Sequence, residues 1–273
     1  FALLKLGRFS EAEAQARQVL AQQPAYARST YTLGLALLSQ GRFEEGLEAF
    51  EARLDPVNAG NNSPPAPVSY PHWRGEPLDG KSILIWIEQG LGDEIMMARY
   101  AAVLKARGAS LVSLFCRPAL EPLFKSLPGV DAVYPTAGSI SLPQHDYWVY
   151  PMSLPRLCGA RSDATAWSGA YLTPSDEARG QWSDPKPKRF AVGLVWSGKA
   201  AHVNDAHRSL PSVRTLAPLW SVSEAEFYSL QKDRRPGDDP AGDQPMADLG
   251  PRLSDFEQTA AGSSPGRRSF CRL

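Results

Sequence analysis

The sequence predicts an α/β protein in three parts: a short helical repeat segment, then two strand–turn–helix units with parallel sheets, the second of them incomplete. Three observations predict it. One proline, Pro24, lies in residues 1–55, and the rest of the chain holds the other 23. Up to that boundary the chain is rich in Ala, Leu, Gln, Glu and Arg, all good helix formers. After residue 81, short apolar runs alternate with turns bearing Gly and Pro, the pattern of strands alternating with helices.

Composition narrows the function classes. The 273 residues carry 29 basic and 29 acidic side chains. Zero net charge argues against nucleic-acid binding, which needs a basic face. With 43% hydrophobic and 21% charged residues the chain is an ordinary globular one. No apolar run reaches the roughly 18 residues of a spanning helix, and the start does not read as a leader. Cys116, Cys158 and Cys271 fit no zinc or disulfide spacing, so a reducing, cytoplasmic compartment is expected.

The first segment repeats itself. Leu6-Gly7-Arg8-Phe9 recurs as Gln40-Gly41-Arg42-Phe43, a spacing of 34, and Glu11, Ala12 and Leu20 recur as Glu45, Gly46 and Leu54. Small residues at Ala12 and Gly46 let helices approach closely, and Pro24 follows a helix end. This segment, residues 1–55, resembles the tetratricopeptide repeat, a helix–turn–helix unit of that period. Such repeats bury their apolar faces only against neighbours. Residues 1–6 therefore read as the end of a helix begun upstream, or as part of a short helical cap on the next domain. Asn58 to Pro67 lacks any period, and residues 56–80 read as a linker.

The first α/β unit is expected over 81–187. Ser82–Ile87 is a strand-length apolar run, followed by Glu88-Gln-Gly-Leu-Gly-Asp93 and a helical period from Glu94 to Gly108. Strands are expected at 110–115, 130–134 and 147–149, with a helix near 118–127. Gly90 and Gly92 do not complete a dinucleotide fingerprint, because its third glycine would stand at Ile95. This makes a nicotinamide enzyme a weak reading. Asp93 has two roles open to it. It can cap the helix by accepting amide protons, or serve as a general base at the carboxyl edge of the sheet, where α/β proteins bind ligands.

A second unit is expected over 188–261. Phe190–Trp196 is a buried-strand run, then a loop carries Ser197, Lys199, His202, Asn204, Asp205, His207 and Arg208. A helix is expected at 212–220 and a strand at 227–231, the latter containing Gln231 and followed by Lys232. Basic and polar side chains after a first strand suit a nucleotide diphosphate, and they equally suit a solvated loop.

Several blocks, taken together, carry a resemblance. Pro71-His-Trp-Arg-Gly-Glu-Pro-Leu-Asp-Gly-Lys81, Glu88-Gln-Gly-Leu-Gly-Asp-Glu-Ile95, Gly193-Leu-Val-Trp-Ser-Gly198, Asn204-Asp205 with Arg208-Ser209, and Ser229-Leu-Gln-Lys232 resemble the bacterial tetratricopeptide-linked glycosyltransferases. That group is similar to heptosyltransferases and more remotely to O-linked N-acetylglucosamine transferases. The resemblance implies a GT-B fold of two Rossmann-like units, the first for the acceptor and the second for a nucleotide-sugar donor. It implies Asp93 as catalytic base, Gln89, Gly90, Gly92 and Glu94 as the acceptor-side turn, and Ser197, Lys199, Asn204, Asp205, Arg208, Gln231 and Lys232 as donor-binding. It implies no metal and no cofactor beyond the nucleotide-sugar substrate, an acceptor that is a protein or glycan, and a protein partner on the repeat.

Residues 262–273 depart from that pattern, being rich in Gly, Ser and Arg without period. The expectation is a chain truncated at both ends, with an aberrant tail. The alternative function is a repeat-based interaction module attached to a non-catalytic α/β remnant.

Overall fold

A computed structural model describes residues 1–59, 63–137, 141–160, 169–182, 187–202, 205–236, 238 and 244–263. The chain divides into two compact units, Phe1–Tyr171 and Leu172–Leu273. The aberrant tail, apart from Gly262 and Ser263, lies outside the described residues.

Unit one opens with helices α1 (Ala2–Lys5), α2 (Phe9–Gln22), α3 (Ala27–Ser39) and α4 (Phe43–Phe50), a 3-10 turn Glu51–Leu54, and α5 (Pro56–Ala59). The sequence period is visible in the backbone. Gly7 and Gly41 both take positive φ, +70° and +76°, and turn the chain between helices. The close approach expected at Gly46 is present, since a Cβ there would stand 3.0 Å from the backbone nitrogen of Leu38, and Gly34, not singled out in the sequence, is tighter still, its Cβ falling 2.6 Å from the backbone nitrogen of Phe50. Arg17 and Arg42 each bridge Glu13 and Glu45, tying α2 to α4 across the repeat.

The sheet of unit one comprises β1 (Ser82–Ile85), β2 (Leu111–Cys116), β3 (Ala132–Pro135) and β4 (Tyr147–Val149), parallel and in the order β3-β2-β1-β4. Between β1 and β2 run α6 (Leu91–Ala98) and α7 (Tyr100–Ala106), interrupted at Arg99 where one continuous helix was expected. A 3-10 turn Pro118–Leu120 leads into α8 (Glu121–Phe124), and after β4 come a second such turn, Pro151–Ser153, and α9 (Leu154–Leu157). Ile83, Leu84, Ile85 and Val112 are buried on both faces, which explains the unbroken apolar run of β1. The chain leaves β1 toward β2 and β3, then returns to its other side at β4. Strand order therefore reverses at β1, the place where open α/β sheets bind ligands.

Residues 56–80 are no free linker. Tyr70, Trp73 and Leu78 are buried. Trp73 N donates to Trp148 O (2.7 Å) and Trp148 N to Pro71 O (3.0 Å), so the segment extends the sheet beyond β4. The sequence reading missed this because the anchors are single aromatic residues without period.

Unit two contains α10 (Asp176–Gly180), β5 (Phe190–Leu194), β6 (Ala225–Ser229), β7 (Met246–Asp248) and α11 (Phe256–Gly262), with a parallel sheet β5-β6-β7. It begins earlier than residue 188, because Ala178 and Trp182 share a core with Leu249, Leu253 and Ala261. The stretch expected as an α-helix at 212–220 is 3-10, Val213–Ser221. Pro218 inside it has no N–H to donate.

One buried ion pair joins the repeat to the sheet of unit one. Arg53 is 2% exposed and Glu88 1%. Arg53 Nε and Nη2 donate to the two carboxylate oxygens of Glu88 at 2.7 and 3.1 Å, while Nη1 reaches Glu51 (2.5 Å) and Nη2 also reaches Ser153 Oγ (2.8 Å). Ser63 Oγ and Met152 N donate to Glu88 as well. Removing one partner of such a pair leaves a bare buried charge. Arg53→Met should cost about 3–5 kcal/mol in denaturant titrations, and Arg53→Met with Glu88→Leu should recover part of that loss.

Asp146 closes the amino end of β1, accepting from Ser82 N and Ser82 Oγ, both at 2.8 Å, and from Lys81. The Ser82 backbone hydrogen bond, first among these, lowers its pKa from 3.8 to about 2. Ionised Asp146 thus favours folding above about pH 4, and that contribution disappears as pH falls from 4 to 2. Glu13, held mainly by Arg17, titrates in the same window. The thermal midpoint should fall across it, and Asp146→Asn should flatten the fall.

Candidate functional site

The turn after β1 is held from two sides. Arg53 fixes Glu88 from the repeat. Arg117, at the end of β2, donates through Nη2 to Gln89 O (2.5 Å), through its backbone N to Glu94 (3.1 Å), and through Nη1 to the same carboxylate. Burial pushes the Glu94 carboxyl up, and Arg117 pulls it back. Glu94 is thus a buried support of the turn, not a group presented to an acceptor.

Between these clamps the backbone is unusual. Gln89 has φ +61°, the one non-glycine residue with positive φ among the described residues. The left-handed position of the turn is therefore Gln89, while Gly90 sits at φ −102° as the N-cap of α6. A Cβ at Gly92 would meet nothing within 4 Å, so the first turn of α6 is open above that residue.

Asp93 is at position N3 of α6 and not at the cap. Its Oδ2 accepts from Gly90 N at 2.9 Å, the carboxylate half of a capping box. The side chain is half-buried, and among the described residues nothing donates to its other oxygen. One carboxylate oxygen steadies the helix start while the second can receive a proton.

In unit two, the loop after β5 is closed by its own residues. Gln231 Oε1 accepts from Trp196 N (3.1 Å) and Ser197 N (3.0 Å), and its Nε2 donates to Ser197 O and Asp233 O. Gly198 N donates to Ser209 Oγ at 2.9 Å. Gln231, expected as a donor contact, is instead a buried brace with both amide atoms engaged. Asp205 is likewise engaged, accepting from Ser209 Oγ (2.5 Å) and from Arg235. Lys232 Nζ donates to Ser254 O (2.6 Å). Lys199 and Arg208 are exposed, with the Arg208 guanidinium beside Gly198, and the hydroxyl of buried Ser197 has no hydrogen-bond partner. Asn204 lies outside the described residues. A cavity of about 410 Å³ in this unit is lined by residues such as Arg189, Trp220 and Met246 and by none of the expected donor residues.

The two cysteines among the described residues, Cys116 and Cys158, sit in apolar surroundings that disfavour the thiolate. Burial pushes Cys116 up to about 12 and Cys158 up to about 11. Among the described residues, no helix is long and apolar enough to cross a membrane.

Arg53 and Arg117, which shape the turn, were not singled out in the sequence. Both lie far from Glu88–Asp93 along the chain, and a lone arginine carries no local signal.

Known proteins resemble both parts. Residues 2–59 match the family model of the tetratricopeptide repeat, so the helical segment is of that class. The described α/β architecture resembles a solved structure in fold. It is similar to the crystal structure of a glycosyl transferase family 9 protein from Veillonella parvula, with a TM-score of 0.51 over 69% of this chain and 74% of that one. At 11% identity the likeness is one of fold. Protein FlbA of Caulobacter vibrioides is 28% identical over 255 residues, 85% of this chain. The chain spans 42% of FlbA's length.

Asp93→Ala should lose the Gly90 hydrogen bond and about 0.5–1 kcal/mol of stability. Asp93→Asn keeps an acceptor oxygen there and should unfold within a few tenths of a kcal/mol of the parent, roughly the noise of a surface change. Urea titration distinguishes the two.

Proposed function

We propose that the chain belongs to a metal-independent glycosyltransferase that moves a sugar from a nucleotide-sugar to an acceptor hydroxyl. The observation carrying this reading is the placement of Asp93: half-buried on the first turn of α6, after the central strand β1, at the strand-order reversal and beside the open space over Gly92. The glycosyltransferase-like fold supports the same reading.

In this reading the free oxygen of Asp93 takes the acceptor's hydroxyl proton. The acceptor oxygen forms a bond to the anomeric carbon, the bond from that carbon to the diphosphate breaks, and its electron pair leaves with the diphosphate. Lys199 and Arg208, exposed after β5, offset the charge of the leaving group, and the orphan hydroxyl of Ser197 donates in the same loop. Heptosyltransferases and O-linked N-acetylglucosamine transferases are the subtypes that the sequence blocks bring into view, and the repeat would hold a protein partner.

A second reading, an interaction module with an inactive α/β part, draws support from one observation. The amides of Trp196, Ser197 and Gly198 are taken by Gln231 and Ser209, which leaves fewer donors for a diphosphate.

Incubation with a panel of nucleotide-sugars, read as release of nucleoside diphosphate, separates the two. Release that falls about 10²–10⁴-fold in Asp93→Asn is the expected result. A folded chain that releases nothing with or without added acceptors leaves the second reading standing.

A further inference from the structure

Unit one contains a cavity of about 370 Å³ where the repeat meets the turn-bearing helix. One wall is repeat: Phe43 and Leu47 of α4, with neighbours from α3. The other is Met96 and Met97 of α6, with Met152 from the turn after β4. The cavity thus lies between the repeat, the helix that follows β1, and the turn after β4.

Three features describe its occupant. The first is position. Met96 and Met97 follow Asp93 by three and four residues on one helix, so they share its face about 5–6 Å away. The second is chemistry. Three of the chain's four methionines line this one space, and methionine is the side chain that adapts to apolar groups of varied shape. Met96 is 42% exposed, so the lining opens to solvent. The third is polarity. Arg99 stands in the wall, with its guanidinium over the Tyr171 ring at 4.9 Å and its buried Nε without a hydrogen-bond partner. An apolar space with one spare N–H donor suits an apolar side chain carried on a peptide backbone, whose carbonyl would accept from Arg99.

We infer that this cavity receives an aliphatic or aromatic side chain of a protein acceptor, two residues from the one whose hydroxyl faces Asp93. The inference rests on the reading of the Asp93 side as the acceptor side. In an extended peptide, side chains two residues apart share a face at about 6.6 Å, close to the separation of Asp93 from Met96 and Met97. The repeat would then be a wall of the acceptor site as well as a partner-binding segment.

The test is a titration of the whole chain, labelled with ¹³C at the methionine methyls, with the peptide acetyl-Gly-Leu-Gly-Ser-Gly-Leu-Gly-amide. The expected result is saturable shifts at Met96, Met97 and Met152 with Met246 unmoved. An all-glycine version, keeping only the serine, should leave all four methyls in place. Met96→Glu, at an exposed position, should weaken the leucine peptide at least tenfold, with the Met152 methyl signal at its parent position and an unchanged urea midpoint reporting that unit one is folded. Equal shifts from the glycine peptide, or none at millimolar leucine peptide, overturn the inference. Saturation by dodecanoate below its micelle concentration, with the peptide silent, also overturns it and makes the acceptor a lipid. No donor sugar is needed. Peptide binding without any sugar transfer would therefore retain the cavity and remove the glycosyltransferase, and transfer without peptide shifts would do the reverse.

Discussion

The structure of unit one depends on the contact of Arg53 with Glu88. An arginine and a glutamate, both almost wholly buried, meet through two parallel hydrogen bonds, and Glu51, Ser63, Met152 and Ser153 complete the set. Burying two charges is tolerated when geometry and satisfaction are this full. The arrangement is also specific. Arg53 can be satisfied only if the last turn of the repeat, the end of β1 and the turn after β4 come together in one register. The repeat is therefore built into the α/β unit, and its final residues help to shape the turn that carries Asp93.

That turn gains its form from its supports more than from its glycines. The sequence draws the eye to Gly90 and Gly92, yet the positive φ falls on Gln89, whose carbonyl is captured by Arg117. A glutamine in the left-handed region costs about 1 kcal/mol or more, and such strain persists where the surroundings overdetermine it. Here two arginines do so, one from each side. The glycines leave space: Gly92 keeps the start of α6 open where a larger side chain would stand over it. A rigid, unobstructed helix start bearing a carboxylate is a suitable place for proton removal.

Unit two solves a similar problem differently. Its first-strand loop is held by a neutral side chain, Gln231, which uses both amide atoms on Trp196, Ser197 and Asp233. The start of that loop is thereby held by the chain's own side chains. Positive charge remains outside this brace on Lys199 and Arg208, so charge and loop geometry are supplied by different residues. In unit one the bracing falls to two arginines whose charge is taken up by Glu88 and Glu94.

Much of the architecture was legible in the sequence. The 34-residue spacing fixed the repeat, and the two glycine turns appear where it put them. Apolar runs of strand length marked β1, β2 and β5, and β1, buried on both faces, needs no polar alternation. Local composition determines features of this kind, since period and turn chemistry act over a few residues. The tertiary structure decided the rest: that residues 70–80 are anchored and not free, that unit two starts before Trp182, that Gln231 and Asp205 are internal braces, and that Glu94 is buried on Arg117. Each depends on a partner distant in the chain, as Arg53 is from Glu88. An isolated charged or aromatic residue reads the same in sequence whether it is solvated or buried, and only its burial and partner reveal what it does.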